Sequence, residues 1–313
     1  MPTSLVTGGA GFIGSHLVDA LLARGDTVRV LDDFSTGKAI NIQHNLERIE
    51  LITGDLRDAA TLSAAIEGVD LIFHQAAFVS VPQSMEDPGA CFDINVNGTG
   101  MLLAEARACG VKRVVLASSA AVYGENTAVP LSEDEVPSPL SPYAASKSIT
   151  EIYARLFTDQ LGLDVVALRY FNVFGPRQNP ASDYAAVIPI FIKTLDEEGE
   201  PVIYGDGRQS RDFIYVADVV RANLLAAASD QAPGKTMNIC SGQEIDLLEL
   251  LDMLSGIFNR EIEPGFHKSR PGDIYRSLGD PTRAKDLLGF SPTTSVSDGL
   301  EKTAAWMRKS YSD

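Results

Sequence analysis

The 313-residue sequence predicts an α/β protein, a doubly wound parallel sheet followed by a smaller mixed α/β region. Three observations carry this expectation. Short apolar runs alternate with helical patterns across the first 170 residues. Most runs place Val, Ile and Leu on consecutive positions, as strands covered on both faces do. A glycine-rich turn joins the first run to the first helical pattern.

In order, strands are expected at Ser4–Thr7, Thr27–Leu31, Glu50–Thr53, Leu71–His74, Val114–Ser118 and Val165–Arg169. A helix over about Ile13–Arg24 carries the stripe Leu17, Val18, Leu21 and Leu22, with Gly25 as its stop. Asp58 suits the N-cap of a second helix that ends near Gly68. Segments 88–109 and 142–161 read as long helices. Between them, Glu125–Pro142 holds four prolines and four acids and reads as an exposed loop. Strand–helix–strand alternation implies parallel pairing with right-handed crossovers. After Arg169 the alternation loses its regularity. Segment 175–184 is loop-like, and helices at Asp246–Phe258 and Val296–Lys309 close the chain. A boundary is therefore expected near residue 170, with some later segments returning to the first unit.

Composition excludes several classes. The net charge of −16 disfavours a nucleic-acid or anionic-membrane partner. A 45% hydrophobic content argues against disorder. The longest apolar run, Ala185–Ile192, has eight residues and contains Pro189, too short to span a bilayer. The opening residues MPTSLVTGG carry no signal-peptide pattern. Cys91, Cys109 and Cys240 form neither a disulfide framework nor a zinc motif, so a reducing, cytoplasmic setting is expected. Four scattered histidines make no metal site. His74 reads as packed and hydrogen-bonded, Cys91 and Cys109 as core or interface, and Trp306 as an apolar anchor.

The turn Thr7-Gly8-Gly9-Ala10-Gly11-Phe12-Ile13-Gly14 has the context of a Rossmann-type dinucleotide site. Gly8 suits the tight turn, and Gly11 admits a pyrophosphate to the helix N-terminus. Gly14 allows close helix packing. Asp32, 18 residues after Gly14, suits a carboxylate on ribose hydroxyls and favours NAD over NADP. Further on, Tyr143 and Lys147 stand at i and i+4 at the start of a helix and so share a face. A free tyrosine titrates near ~10, and a cation beside it, Lys147 or an oxidised nicotinamide ring, favours the phenolate. Tyr143 then suits a general base toward a sugar hydroxyl, with Ser119 at the end of a strand bonding the same oxygen.

At this point the chain resembles the extended short-chain dehydrogenase/reductases, and within them the NAD-dependent nucleotide-sugar epimerases. It is most similar to UDP-hexose 4-epimerases, including those acting on UDP-N-acetylglucosamine. The resemblance runs through TGGAGFIGSHL (7–17), LDDFSTG (31–37), GDLRD (54–58), HQAA (74–77), NVNGT (95–99), SSAAVYG (118–124), SPYAASK (141–147), LRYFNVFGPRQ (168–178), RDFIYVAD (211–218) and RPGDIYRSLGD (270–280). It implies catalytic roles for Ser119, Tyr143 and Lys147. It implies a cofactor surface of Gly8, Gly11, Phe12, Ile13, Asp32, Ser35, Gly37, Asp55 and Leu56. Gln75, Ala76 and Ala77 would line the cofactor by backbone, with Asn95, Tyr143, Lys147 and Tyr170 beside it. Around the UDP-sugar it implies Ser119, Asn172, Arg211, Arg270 and Asp273, with Ala186, Val187, Val202 and Tyr204 near uridine and Ser277 at the sugar. Residues 1–170 are then the NAD-binding unit and 171–313 the UDP-sugar unit. Helices 88–109 and 142–161 are the expected homodimer contact.

The resemblance also orders the candidate reactions. Dehydratase relatives carry an Asp–Glu pair after the strand-end hydroxyl, and decarboxylase relatives a Glu. Here Ala120 and Ala121 stand there, which favours 4-epimerisation through a transient 4-keto sugar. The small Ser277 leaves room for a 2-acetamido group, favouring UDP-GlcNAc/UDP-GalNAc, with UDP-Glc/UDP-Gal as further substrates. Alternatives are a UDP-glucuronate epimerase, with Arg177 as carboxylate partner, a dehydratase or decarboxylase, a net oxidoreductase, and a non-catalytic NAD sensor. Retention of Ser119, Tyr143 and Lys147 disfavours the sensor.

Overall fold

The computed structural model describes residues 1–180, 186–269 and 274–312. Arg270 and Asp273 lie outside the described residues. The first half runs β1 (Thr3–Thr7), α1 (Phe12–Arg24), β2 (Thr27–Asp32), β3 (Ile49–Thr53), α2 (Ala59–Ile66), β4 (Leu71–His74), α3 (Val81–Glu86), α4 (Pro88–Phe92), α5 (Gly98–Ala108), β5 (Arg113–Ser119), α6 (Pro142–Leu161) and β6 (Asp164–Tyr170). The second half runs β7 (Asn172–Phe174), α7 (Val187–Asp196), β8 (Val202–Tyr204), β9 (Ser210–Arg211), β10 (Phe213–Tyr215), α8 (Val216–Ala228), β11 (Thr236–Ile239), β12 (Ile245–Asp246), α9 (Leu247–Phe258), β13 (Gly265–His267), β14 (Arg276–Ser277), α10 (Thr282–Leu288) and α11 (Val296–Ser312).

Seven strands form one sheet in the order β3-β2-β1-β4-β5-β6-β11, every pair parallel. Consecutive strand residues point to opposite faces, and the apolar runs fill both. Val6, Phe73, Val115 and Val166 pack under α1 and α8. Their neighbours Leu5, Ile72, Val114 and Val165 pack under α2, α5 and α6. A side chain so buried contributes about 1.5–3 kcal/mol. A third core, with Phe174, Phe191, Phe213 and Leu250, binds the C-terminal helices to β7 and β10.

Three expectations need correction. The 88–109 pattern is not one α-helix, because Asp93–Asn97 forms a π-turn between α4 and α5. Segment 125–142 is not simply exposed. Leu131 is buried and exchanges backbone hydrogen bonds with Leu278 and Asp280, at 2.8 and 2.9 Å. Cys109 is exposed beyond the end of α5 rather than packed in the core. The return of later segments is concrete: β11 pairs with β6, and α8 covers the sheet beside α1. Among the described residues, no helix is long and apolar enough to cross a membrane.

Candidate active site

The strand order reverses direction between β1 and β4, and open α/β sheets bind ligands beyond the carboxyl ends of strands at that switch. Thr7 and His74 face each other there, as do Ser119 and Tyr170 at the next pair of ends. His74 is buried between the Thr7 and Thr99 hydroxyls, at 2.7 and 3.0 Å, and burial drives it to the neutral form with a pKa of about 3.

The glycine turn is a cradle that side chains would fill. Gly8 has φ +66°, and a Cβ on it would lie 2.7 Å from the Ala76 nitrogen. A Cβ on Gly14 would lie 2.1 Å from the Gly8 carbonyl oxygen. Gly11 is the N-cap of α1 and offers no side-chain cap. The N–H groups of Phe12 and Ile13, in the first turn, are therefore left to an anion. Asp32 accepts from Ala10 N and Phe34 N, both at 2.8 Å, and burial raises its pKa. Gly37 closes against this carboxylate, since a Cβ there would stand 2.7 Å from Oδ1. The bare turn, the open helix end and the acid at the strand end together fit a dinucleotide.

Other expected cofactor residues are placed less simply. Ser35 is exposed, and its hydroxyl and N–H are both bonded to Asp33. The Asp55 carboxylate is held by Arg57, which also bonds Asp93 at 2.6 Å. This pairing holds Asp55 below the usual carboxylate range. Leu56 is buried against Gly98. Ala76 donates its N–H to Thr7 Oγ1 at 3.3 Å, and Ala77 follows it. Gln75 contributes its side chain, not only its backbone: Nε2 donates to the Tyr170 hydroxyl at 3.1 Å. That hydroxyl donates to Asn223 at 3.0 Å. Asn95 sits at the π-turn with its amide engaged by Phe78 and Ser146. It therefore braces the loop after β4.

The residues expected to react meet where β5 ends against the start of α6. Ser141 caps α6 by accepting from Ala144 N at 3.1 Å, and Pro142 holds its first turn. Tyr143 follows, its phenol near the Ser119 side chain, whose hydroxyl favours the phenolate. Lys147 Nζ lies 5.8 Å from the centre of the Tyr143 ring and donates to Ala117 O at 2.9 Å. Burial lowers Lys147 to about 8 and raises Tyr143 above its ordinary value. The expected depression of Tyr143 by Lys147 is thus absent from the chain alone: burial raises the phenol, and the Ser119 hydroxyl only partly offsets it.

A cavity of about 260 Å³ opens beside Ser119. Ser119, Tyr170, Asn172, Arg211 and Ser277 share its wall with Ala120, Ala121, Phe171 and Ile274. Phe171 and Ile274 carried no chemical signal in the sequence. Asp212 was also missed. Fully buried, it accepts from Ser241, Gly242 and Gly279 and so ties the Arg211 strand to the segment bearing Ser277. Burial pushes Asp212 up to about 6. Ala186, Val187, Val202 and Tyr204 are not among the lining residues. Ala186 caps α7, Val187 begins it, and Tyr204 meets the His267 ring at 5.6 Å. Arg177, the candidate carboxylate partner, does not line the cavity; it pairs with Asp19 at 2.7 Å and is largely buried. Among the described residues, no group of three His, Cys, Asp or Glu is arranged to hold a metal.

Residues 4–240 match the NAD dependent epimerase/dehydratase family. A UDP-glucose 4-epimerase of Mycolicibacterium smegmatis is 40% identical over 309 residues, covering 97% of this chain and 98% of that one. Among solved structures, the UDP-N-acetylglucosamine 4-epimerase of Methanobrevibacter ruminantium M1, in complex with UDP-N-acetylmuramic acid, superposes with a TM-score of 0.95. It is 41% identical, over 99% of both chains. The UDP-glucuronic acid 4-epimerase of Bacillus cereus, with UDP-glucuronic acid and NAD, superposes at 0.91 with 34% identity, covering 99% of this chain and 100% of that one.

Proposed function

This chain belongs to the NAD dependent epimerase/dehydratase family, and from that premise we propose that it inverts C4 of UDP-GlcNAc and UDP-GalNAc, and of the plain UDP-hexoses as well. It is an NAD-dependent isomerase of UDP-sugars; the choice of sugar is our reading. The observation that carries it is the cavity wall at Ser119, where Ala120, Ala121 and Ser277 supply neither an acid nor bulk.

The glycine cradle and Asp32 would hold NAD, which when bound accepts and returns the hydrogen at C4 with its electron pair. The Tyr143 phenolate takes the C4 hydroxyl proton, and the Ser119 hydroxyl bonds the same oxygen. Lys147 supplies positive charge that favours the phenolate. With no carboxylate among the cavity's described lining residues, the 4-keto sugar is not led into elimination. Turning within the cavity presents its other face, and Tyr143 gives the proton back. Arg211 and Asn172 would hold the diphosphate end, a role suited to the guanidinium fork. Arg177, the candidate partner for a uronate in the alternative reading, is engaged by Asp19.

Product analysis after incubation with a panel of UDP-sugars tests this directly. C4 epimers of the N-acetylated substrates are expected; accumulation of a keto sugar or a pentose would overturn the reading. Ser277→Tyr should lower turnover of the N-acetylated pair by roughly a hundredfold more than that of the plain hexoses. Equal losses would reject the pocket-size argument.

A homodimer belongs to the same proposal. Ile152, Tyr153 and Leu156 on α6, with Phe92 on α4, leave apolar surface exposed that a second copy would cover. Sedimentation across a concentration range reads this, and a monomer throughout would reject it.

A further inference from the structure

Behind the reacting groups lies a buried ion pair that the proposed mechanism does not use. Arg169 donates from Nε and Nη2 to the two oxygens of Glu151, both at 2.8 Å. Ser118 donates to the same carboxylate at 2.5 Å. The side chains of Arg169 and Glu151 are 5% and 8% exposed. The Arg169 guanidinium also stacks 4.7 Å over the Tyr123 ring, whose hydroxyl donates to Asn238 at 2.7 Å.

Ser118 and Arg169 each stand next to a site residue, and Glu151 stands one helical turn from another. Ser118 precedes Ser119 on β5, and Arg169 precedes Tyr170 on β6. The two pairs are adjacent rungs of the ladder, Ser118 with Arg169 and Ser119 with Tyr170. Glu151 follows Lys147 by four residues and Tyr143 by eight, which keeps all three on one side of α6. A single carboxylate therefore joins the three elements that carry Ser119, Tyr170, Tyr143 and Lys147. As a stabilising device alone the pair is poorly made. Nη1 of Arg169 is buried with no hydrogen-bond partner, and packed apolar residues commonly replace such pairs without loss.

We propose that Glu151 is a positioning residue for the reaction, holding α6 in register on β5 and β6 and keeping Lys147 charged. The inference rests on the reading of Tyr143 and Lys147 as the reacting pair. The groups around Lys147 single out Glu151. From α6 itself come Tyr143 and Glu151, from α4 Cys91, from β4 His74, and from β6 Arg169 behind Glu151. Burial keeps the Cys91 thiol protonated and His74 neutral. Burial raises Tyr143 and keeps its phenol uncharged. Cys91 and then Glu151 favour the ammonium against its desolvation, and with the thiol protonated the Glu151 carboxylate is the acid left to do so. Neutralising it removes that support and unmasks Arg169, and both effects act against the charged lysine.

The test titrates Lys147 in the full-length protein. The folded chain releases the Lys147 proton near 8, whereas the unfolded chain holds it to about 10.4. The unfolded state binds more protons in that window, so this lysine's contribution to stability rises with pH across it. The stability difference between a protein and its Lys147→Met partner, followed by denaturant midpoint, reports the folded-state titration. Glu151→Gln should move its onset down by roughly one pH unit. Glu151→Met with Arg169→Met removes both charges and carries the test if Glu151→Gln fails to fold. It should move the onset down by less. The alkaline limb of kcat/KM for a UDP-sugar should shift in the same order. An unmoved onset in the folded variants, with only a lower kcat, overturns the proposal. If the onset shifts but no UDP-sugar is turned over by the wild type, Glu151 coupling stands and the proposed reaction fails. If turnover is found and the onset stays fixed, the reverse holds.

Discussion

In the proposed reaction Tyr143 loses a proton in a place that resists the loss. Its phenol is held above the ordinary tyrosine range by burial, and the nearby ammonium does not reverse this in the chain alone. The missing increment of positive potential has a natural source in the oxidised nicotinamide ring, which would lie against the same phenol. The base would then be strong only when the cofactor is in its hydride-accepting form, so proton and hydride removal would be coupled by electrostatics. Tyr143→Phe removes the proton acceptor and leaves the glycine cradle untouched. It should lower kcat by about 10²–10⁴-fold while NAD still co-purifies or binds by fluorescence titration. Near-normal kcat would reject Tyr143 as the base; loss of NAD would place its role in binding.

At the level of elements, the β1–α1 junction has the least tolerance. Gly14 belongs to α1, yet its Cα faces the Gly8 carbonyl so closely that a methyl would lie 2.1 Å from the oxygen. Gly14→Ala must push α1 away from the turn that Gly8 makes. We expect a loss of about 1–3 kcal/mol in stability and a roughly tenfold or greater loss in NAD affinity. Calorimetry with and without cofactor would read both, and unchanged affinity would show that the turn does not meet the phosphates. This junction was legible in the sequence because its information is local: glycine spacing, an adjoining apolar run, and an acid at the next strand end. The six strands were legible for the same reason, and each lies within about a residue of its expected bounds. The Glu151–Arg169 pair was not, because it is the packing of α6 on β6 that brings together residues 18 apart. The charged Arg169 inside the run Val165–Tyr170 was its one visible trace. Gln75 and Asn95 were legible as positions but not as side-chain contacts, since their partners come from α8 and α6. Arg177 was not placed by the sequence, because its partner Asp19 comes from α1, far away along the chain.

The molecule as a whole carries −16, while the proposed ligands are themselves anions. The mean field therefore opposes their approach, and capture has to rest on charge held close to the site. Arg211 lines the cavity, Lys147 lies beneath the Tyr143 ring, and the N-terminus of α1 opens at Gly11. Much of the acid elsewhere is neutralised in pairs, such as Arg57 between Asp55 and Asp93, or Arg276 on Glu244. The two contributions differ in range. Repulsion from the distributed charge acts over the whole surface and is screened once the Debye length falls from about 30 Å at ~0.01 M salt to about 8 Å at ~0.15 M. Contacts at hydrogen-bond distance in a partly buried cavity are screened far less. Over that interval kcat/KM for a UDP-sugar should hold steady or rise, while a protein steered by a long-range positive field would lose rate steeply. Initial rates at limiting substrate across the salt series measure it. A steep decline would mean that long-range attraction guides the substrate and that the acidic surface is arranged to leave the cavity mouth positive.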